Sequence, residues 1–195
     1  YLKDDSEFLR KMSVDTVDQV FKDLEMVDLK DRTEERLIDG MLIALQKTTG
    51  DSSVSSKNSV LKAFGTMVDA LDIRMKSYLP QIISIILYRL QNESPEIRQQ
   101  SADLISKLVK TIKSCNEVDI ISKLSKVLYE SLGEVYPEVL GSILHSLKTI
   151  ISIIGITSMN PSTDQLLLSL TPILRYRHEK VQDNVIDLIG SICDK

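Results

Sequence analysis

The chain contains no tryptophan, and aromatic residues make up 5% of its 195 positions. Stacking platforms of the kind that sequence-independent single-strand binders use are therefore missing. Glycine and proline are scarce, at 7 and 5 residues, so strands joined by glycine-rich turns are not visible anywhere. Only Cys115 and Cys193 are present. They lack metal-motif spacing, and two cysteines do not staple a secreted fold, so both read as reduced thiols of an intracellular protein. No apolar run reaches the length of a membrane span; the longest candidates lie near 82–87 and 150–156. The first residues, YLKDDSEFLRKM, are neither a signal nor a transit peptide. There is no Walker loop, nucleophile elbow, HExxH or His/Cys cluster. His145 sits at the helix position of Asp103 and Asp187, a polar face, and reads as a surface histidine. No catalytic residue, metal or cofactor is expected. The net charge of −4 argues against sequence-independent nucleic-acid binding, because phosphate affinity comes from cations.

What the chain does have is a period. PEIRQQSADLISKL begins at Pro95, PEVLGSILHSLKTI at Pro137, and EKVQDNVIDLIGSI at Glu179. Their anchors Ile97, Val139 and Val181 fall 42 positions apart. A period of 20–50 residues marks a solenoid. After Ile97, Leu104, Ile105, Leu108, Val109 and Ile112 recur on one helical face, and the other copies repeat the stripe. Pro95 and Pro137 stand in the first turn of their helices, where a missing N–H is no loss. Ser94 is placed to cap its helix, and Glu96 and Glu138 suit the positive end of the dipole. A preceding helix is expected to end seven residues before each anchor, at Leu90, Leu132 and Leu174. The unit is thus helix A, a tight turn, helix B.

Upstream, 34–47 and 59–71 read as a further A and B helix, joined by a serine-rich loop over 48–59; 6–24 reads as an orphan B helix. A second loop is expected over 155–164, and Pro172 is expected to bend an A helix. The expected organisation is one segment, 1–195, of a longer all-α right-handed solenoid, with repeats at 34–72, 75–114, 117–155 and 163–195. The chain ends inside the last B helix and carries no polar cap, as an excised segment would.

Pro95, Ile97-Arg98 and Ala102 resemble the HEAT-repeat pattern of a proline-bearing turn, a β-branched residue plus arginine, then a small residue. In that family the arginine braces neighbouring turns. The copy at 139 departs, with Leu140 and Leu144 in place of Arg98 and Ala102. EERLIDG (34–40), YLPQI (78–82), IRQQSADLIS (97–106), LYESLGEVYPEVLGSIL (128–144), LTPIL (170–174) and RHEKVQDNVIDLIG (177–190) are more specific. Together they resemble the central HEAT array of the largest subunit of splicing factor 3b, a U2 snRNP component. The likeness runs from about residue 34 and is thin over 1–33. The resemblance implies a nuclear scaffold of the prespliceosome. Implied partners are a β-propeller subunit, a small zinc-finger subunit, a DEAD-box ATPase, and the duplex of U2 snRNA with the branch site. Weak RNA binding by the fragment itself is expected, and no membrane. A transport receptor or phosphatase scaffold is the alternative.

Candidate partner contacts come with plainer readings beside them. Lys107, Lys110 and Lys113 could meet phosphate, or simply sit well near a negative helix end. Arg175, Tyr176, Arg177, His178 and Lys180 form a charged A–B turn, either solvated or a ridge that touches a partner. Tyr136, in the corresponding turn, is either packed or a contact.

Overall fold

The computed structural model describes residues 6–23, 31–47, 54–156 and 160–193, and all regular structure among them is helical. The chain divides into two compact units, 1–78 and 79–195.

In the first unit α1 (Glu7–Asp23) packs along α3 (Val54–Leu71), and α2 (Asp31–Lys47) packs on α3. Val14, Phe21, Ile38, Leu42, Val60 and Phe64 are buried. Asp18 is buried at the α1–α3 contact, where it accepts a hydrogen bond from Thr66 Oγ1 at 2.7 Å and pairs with Lys22 and, at 3.8 Å, Lys62. A tight 3₁₀ stretch, Asp72–Tyr78, closes the unit, and Arg74 pairs with Glu34 at 2.8 Å. The loop expected over 48–59 is shorter than expected: α3 begins at Val54, and 48–53 lie outside the described residues. From Asp51 to Phe64 there is neither proline nor glycine, and serine costs a helix less than about 0.7 kcal/mol per residue, so nothing stops the helix there.

The second unit alternates A helices α4 (Leu79–Leu90), α6 (Val118–Glu130) and α8 (Thr163–Leu170) with B helices α5 (Pro95–Ser114), α7 (Pro137–Ile154) and α9 (Glu179–Cys193). The B helices stack side by side, α5 on α7 and α7 on α9, and α4, α6 and α8 pack on α5, α7 and α9. Ile97, Val139 and Val181 are all buried at equivalent places in this stack. A buried Ser146 hydroxyl donates to the Ala102 carbonyl at 2.6 Å, so α7 crosses α5 where α5 carries a small residue. Helix ends follow local chemistry. Pro95 and Pro137 open α5 and α7. After α5, Asn116 takes φ 59° and the Glu117 N–H donates to the Ile112 carbonyl at 3.1 Å, a Schellman-type stop. α7 stops at Gly155, whose φ of 81° suits glycine.

Several expectations need correction here. Of the A helices expected to end seven residues before an anchor, α4 runs to its expected end, Leu90. α6 stops at Glu130 and α8 at Leu170, each followed within a few residues by one 3₁₀ turn, Ser131–Gly133 and Ile173–Arg175. Pro172 ends α8 instead of bending it: it has no N–H for the Leu168 carbonyl, and the last helical bond is Thr171 N–H to Leu167. Ser94 occupies the cap position of α5, but its hydroxyl makes no cap bond. The second loop is tighter than 155–164, because α8 begins at Thr163. Finally, α7 is by length and composition apolar enough to cross a membrane. It is instead a core helix, packed between α5 and α9 with more than half of its residues buried.

Candidate functional site

The A–B turns of the second unit carry a network of side-chain hydrogen bonds and ion pairs. Arg98, in the first turn of α5, donates from Nη1 to the carbonyls of Asn92 and Glu93 at 2.8 and 2.9 Å, within its own turn. Its Nε and Nη2 donate to the two carboxylate oxygens of Glu134 at 2.8 and 3.1 Å, in the next turn. This fork-to-fork geometry requires a planar guanidinium. Glu134 Oε1 also accepts the N–H groups of Val135 and Tyr136 at 3.0 and 3.1 Å. The Tyr136 ring lies 5.5 Å from the guanidinium, within cation–π range. Burial alone would raise the Glu134 carboxyl, but Arg98 and the two N–H donors outweigh it and hold it below the usual carboxylate range. The same bond raises Arg98.

The next copy has no arginine to do this. Leu140 is 1% exposed and fills the space as core. The tie is instead made backwards, from the following turn. Tyr176 donates its hydroxyl to the Val135 carbonyl at 3.0 Å. Lys180 Nζ reaches the Glu138 carboxylate at 3.2 Å, and His178 Nε2 the other oxygen at 3.4 Å. The Lys180 stem runs over Gly141, where an added Cβ would meet its methylenes at 3.0–3.1 Å.

The remaining candidates are dispersed. Lys107 and Lys110 are exposed on α5, and Lys113 donates to the Ile153 carbonyl of α7 at 2.5 Å. Arg175 and Arg177 are exposed and form no ion pair among the described residues. His145 is exposed, and no metal-holding group of His, Cys, Asp or Glu occurs among the described residues. Two features were not anticipated. Glu134 is the hub of the turn network, yet in sequence it is one acid among many. Arg89 of α4 is 1% exposed, and burial lowers its pKa to about 10.

Between the turns of the second and third helix pairs of this unit lies an open groove of about 690 Å³. Tyr129, Glu130, Leu132 and Val135 line it on one side, and Pro172 and Tyr176 on the other. Two hydrogen bonds cross between the walls: Ser169 to the Tyr129 hydroxyl at 3.0 Å, and the Tyr176–Val135 bond.

The comparisons agree with a helical repeat fold. A designed armadillo repeat protein superposes with a TM-score of 0.62 at 18% identity, over 98% of this chain and 78% of its own. An engineered protein from the Northeast Structural Genomics Consortium gives 0.63 at 16%, over 100% and 78%. These likenesses establish the α-solenoid fold alone. In sequence the chain is 51% identical over 193 residues to U2 snRNP component prp10 of Schizosaccharomyces pombe, covering 99% of this chain. It is 44% identical over 191 residues to U2 snRNP component HSH155 of Saccharomyces cerevisiae, covering 98%. The resemblance to splicing factor 3b drawn from the motifs is thereby matched, and it extends through 1–33, where the motifs were thin. The chain spans 16% and 19% of the length of these two relatives. A family model described as dynein axonemal assembly factor 5-like, TPR repeats, matches residues 1–195, and the chain belongs to that family of helical repeats.

Proposed function

We propose that the chain is a non-catalytic scaffold segment of a splicing factor 3b-type complex, acting in the nucleus to support branch-site recognition and prespliceosome assembly. The observation that carries this reading is the 51% identity to a U2 snRNP component over 193 residues. A transport receptor or phosphatase scaffold is not favoured by such relatives. The turn network supports a scaffold role physically. In a solenoid each repeat touches mainly its neighbours, so the ties at Glu134 and Glu138 set the angle between successive turns and hence the surface offered to partners. The partners are those the resemblance implies: the β-propeller and small zinc-finger subunits, the DEAD-box ATPase, and the duplex of U2 snRNA with the branch site. With a net charge of −4, the segment contributes little RNA affinity of its own. Replacing the matching segment of prp10 in fission yeast with residues 1–195 tests the reading. The chimera should enter the U2 snRNP and support splicing. A stable, assembled chimera that leaves introns unspliced would contradict it.

A further inference from the structure

We infer that the groove between the turns of the second and third helix pairs of the second unit is a docking site for a basic, apolar peptide segment, a lysine or arginine side chain flanked by aliphatic residues. This goes beyond the scaffold reading and stands on the groove itself. At about 690 Å³ the groove falls in the range of roughly 300–1,000 Å³ typical of ligand sites. Its walls are mostly apolar, and Val135 at its rim is 72% exposed. Among the described residues, the charged ones that line it are Glu130 and Glu134. Glu134 is occupied by Arg98 and two backbone N–H groups. Glu130 is held more loosely: its ion pair with Lys126 spans 3.9 Å, and both side chains are more than half exposed. A loosely held carboxylate in a groove also lined by Tyr129, Tyr176 and the aliphatic Leu132, Leu140 and Ile173 complements a cation carried on a methylene stem. Arg175 and Arg177 neighbour Tyr176 in sequence but do not line the groove. Among the described residues no cation lines it, so RNA phosphate would meet carboxylates and hydroxyls there, and a peptide is the occupant the chemistry favours.

The test is fluorescence anisotropy of the full chain at about 150 mM salt, where exposed long-range charge effects are largely screened. The probes are a fluorescein-labelled Gly-Leu-Lys-Leu-Arg-Leu-Gly peptide, the same peptide with Glu and Asp replacing Lys and Arg, and a labelled oligouridine. The basic peptide should bind about tenfold tighter than either other probe. Glu130→Gln should weaken it about tenfold and Val135→Ser about threefold, while Lys126→Ala, which frees Glu130, should strengthen it. Asp69→Asn, an exposed acid in the first unit, should change nothing. Equal losses from Asp69→Asn and Glu130→Gln would reduce the effect to general charge and overturn the proposal. So would tighter binding of oligouridine, or wild-type affinity in both groove variants.

Discussion

Replacing Arg98 by alanine removes four hydrogen bonds at once, two to backbone carbonyls and two to Glu134. Singly, bonds to charged groups are worth about 1.5–3 kcal/mol, but a shared side chain does not yield the sum. Breaking a buried pair typically costs about 3–5 kcal/mol, because one charge is stranded. Here the side chains retain 17% and 10% exposure, and Glu134 keeps two N–H donors, so the loss should lie near 2–4 kcal/mol. With a urea slope of about 2 kcal/mol/M the midpoint falls by about 1–2 M. Lysine at 98 keeps the charge without the fork and should recover less than half of that. Arg98→Ala with Glu134→Gln should cost little more than Arg98→Ala alone, since both belong to one interaction. The pH dependence has a definite sign. Glu134 is depressed in the folded state, so its contribution is complete above the ordinary glutamate value of about 4.3 and is lost as pH falls through its lowered folded value. The gap between wild type and Arg98→Ala should be flat from pH 6 to 8 and close in acid. A cost under about 0.5 kcal/mol, typical of an isolated surface pair, would refute the bracing argument.

Three further predictions use the same urea measurements. Ile97→Ala, Val139→Ala, Val181→Ala and Leu140→Ala each truncate a side chain at most 1% exposed and should cost about 2–5 kcal/mol, whereas Gln182→Ala, exposed, should stay within about 0.5; equal costs would mean the register is wrong. Ser146→Ala should cost about 0.5–1.5 kcal/mol, since the Ala102 carbonyl loses its cross-helix donor; no change would show that this bond does not hold α5 to α7. Gly141→Leu should cost about 1–3 kcal/mol by displacing the Lys180 stem, and Lys180→Ala should then add nothing more; additive losses would separate the two residues.

What the sequence makes legible is whatever repeats locally. The 42-residue period locates Ile97, Val139 and Val181, which share one buried role, and the prolines at 95 and 137 mark helix entry because their φ suits that position. The turn network is not legible in that way. Glu134 and Arg98 stand 36 positions apart, and an acid after Gly133 has the look of a solvated turn residue until the carbonyls of 92 and 93 are seen beside it. The substitution of arginine by Leu140 signalled a lost brace, but not that Tyr176, His178 and Lys180 would supply one from the other side. The burial of Arg89 leaves no mark in the sequence, because periodicity does not report which neighbour covers a face. The helical start of α3 was missed because serine reads as loop, although it costs a helix little.

The proposed membership in a U2 snRNP scaffold is tested most directly by the RNA that co-purifies with the protein. The protein carrying this segment, tagged in its own cells and isolated at about 150 mM salt, should bring down U2 snRNA at near-equimolar amounts, read by primer extension, with other small nuclear RNAs far below it. Recovery of an intact protein with no enrichment of U2 snRNA over the other small nuclear RNAs would contradict the account.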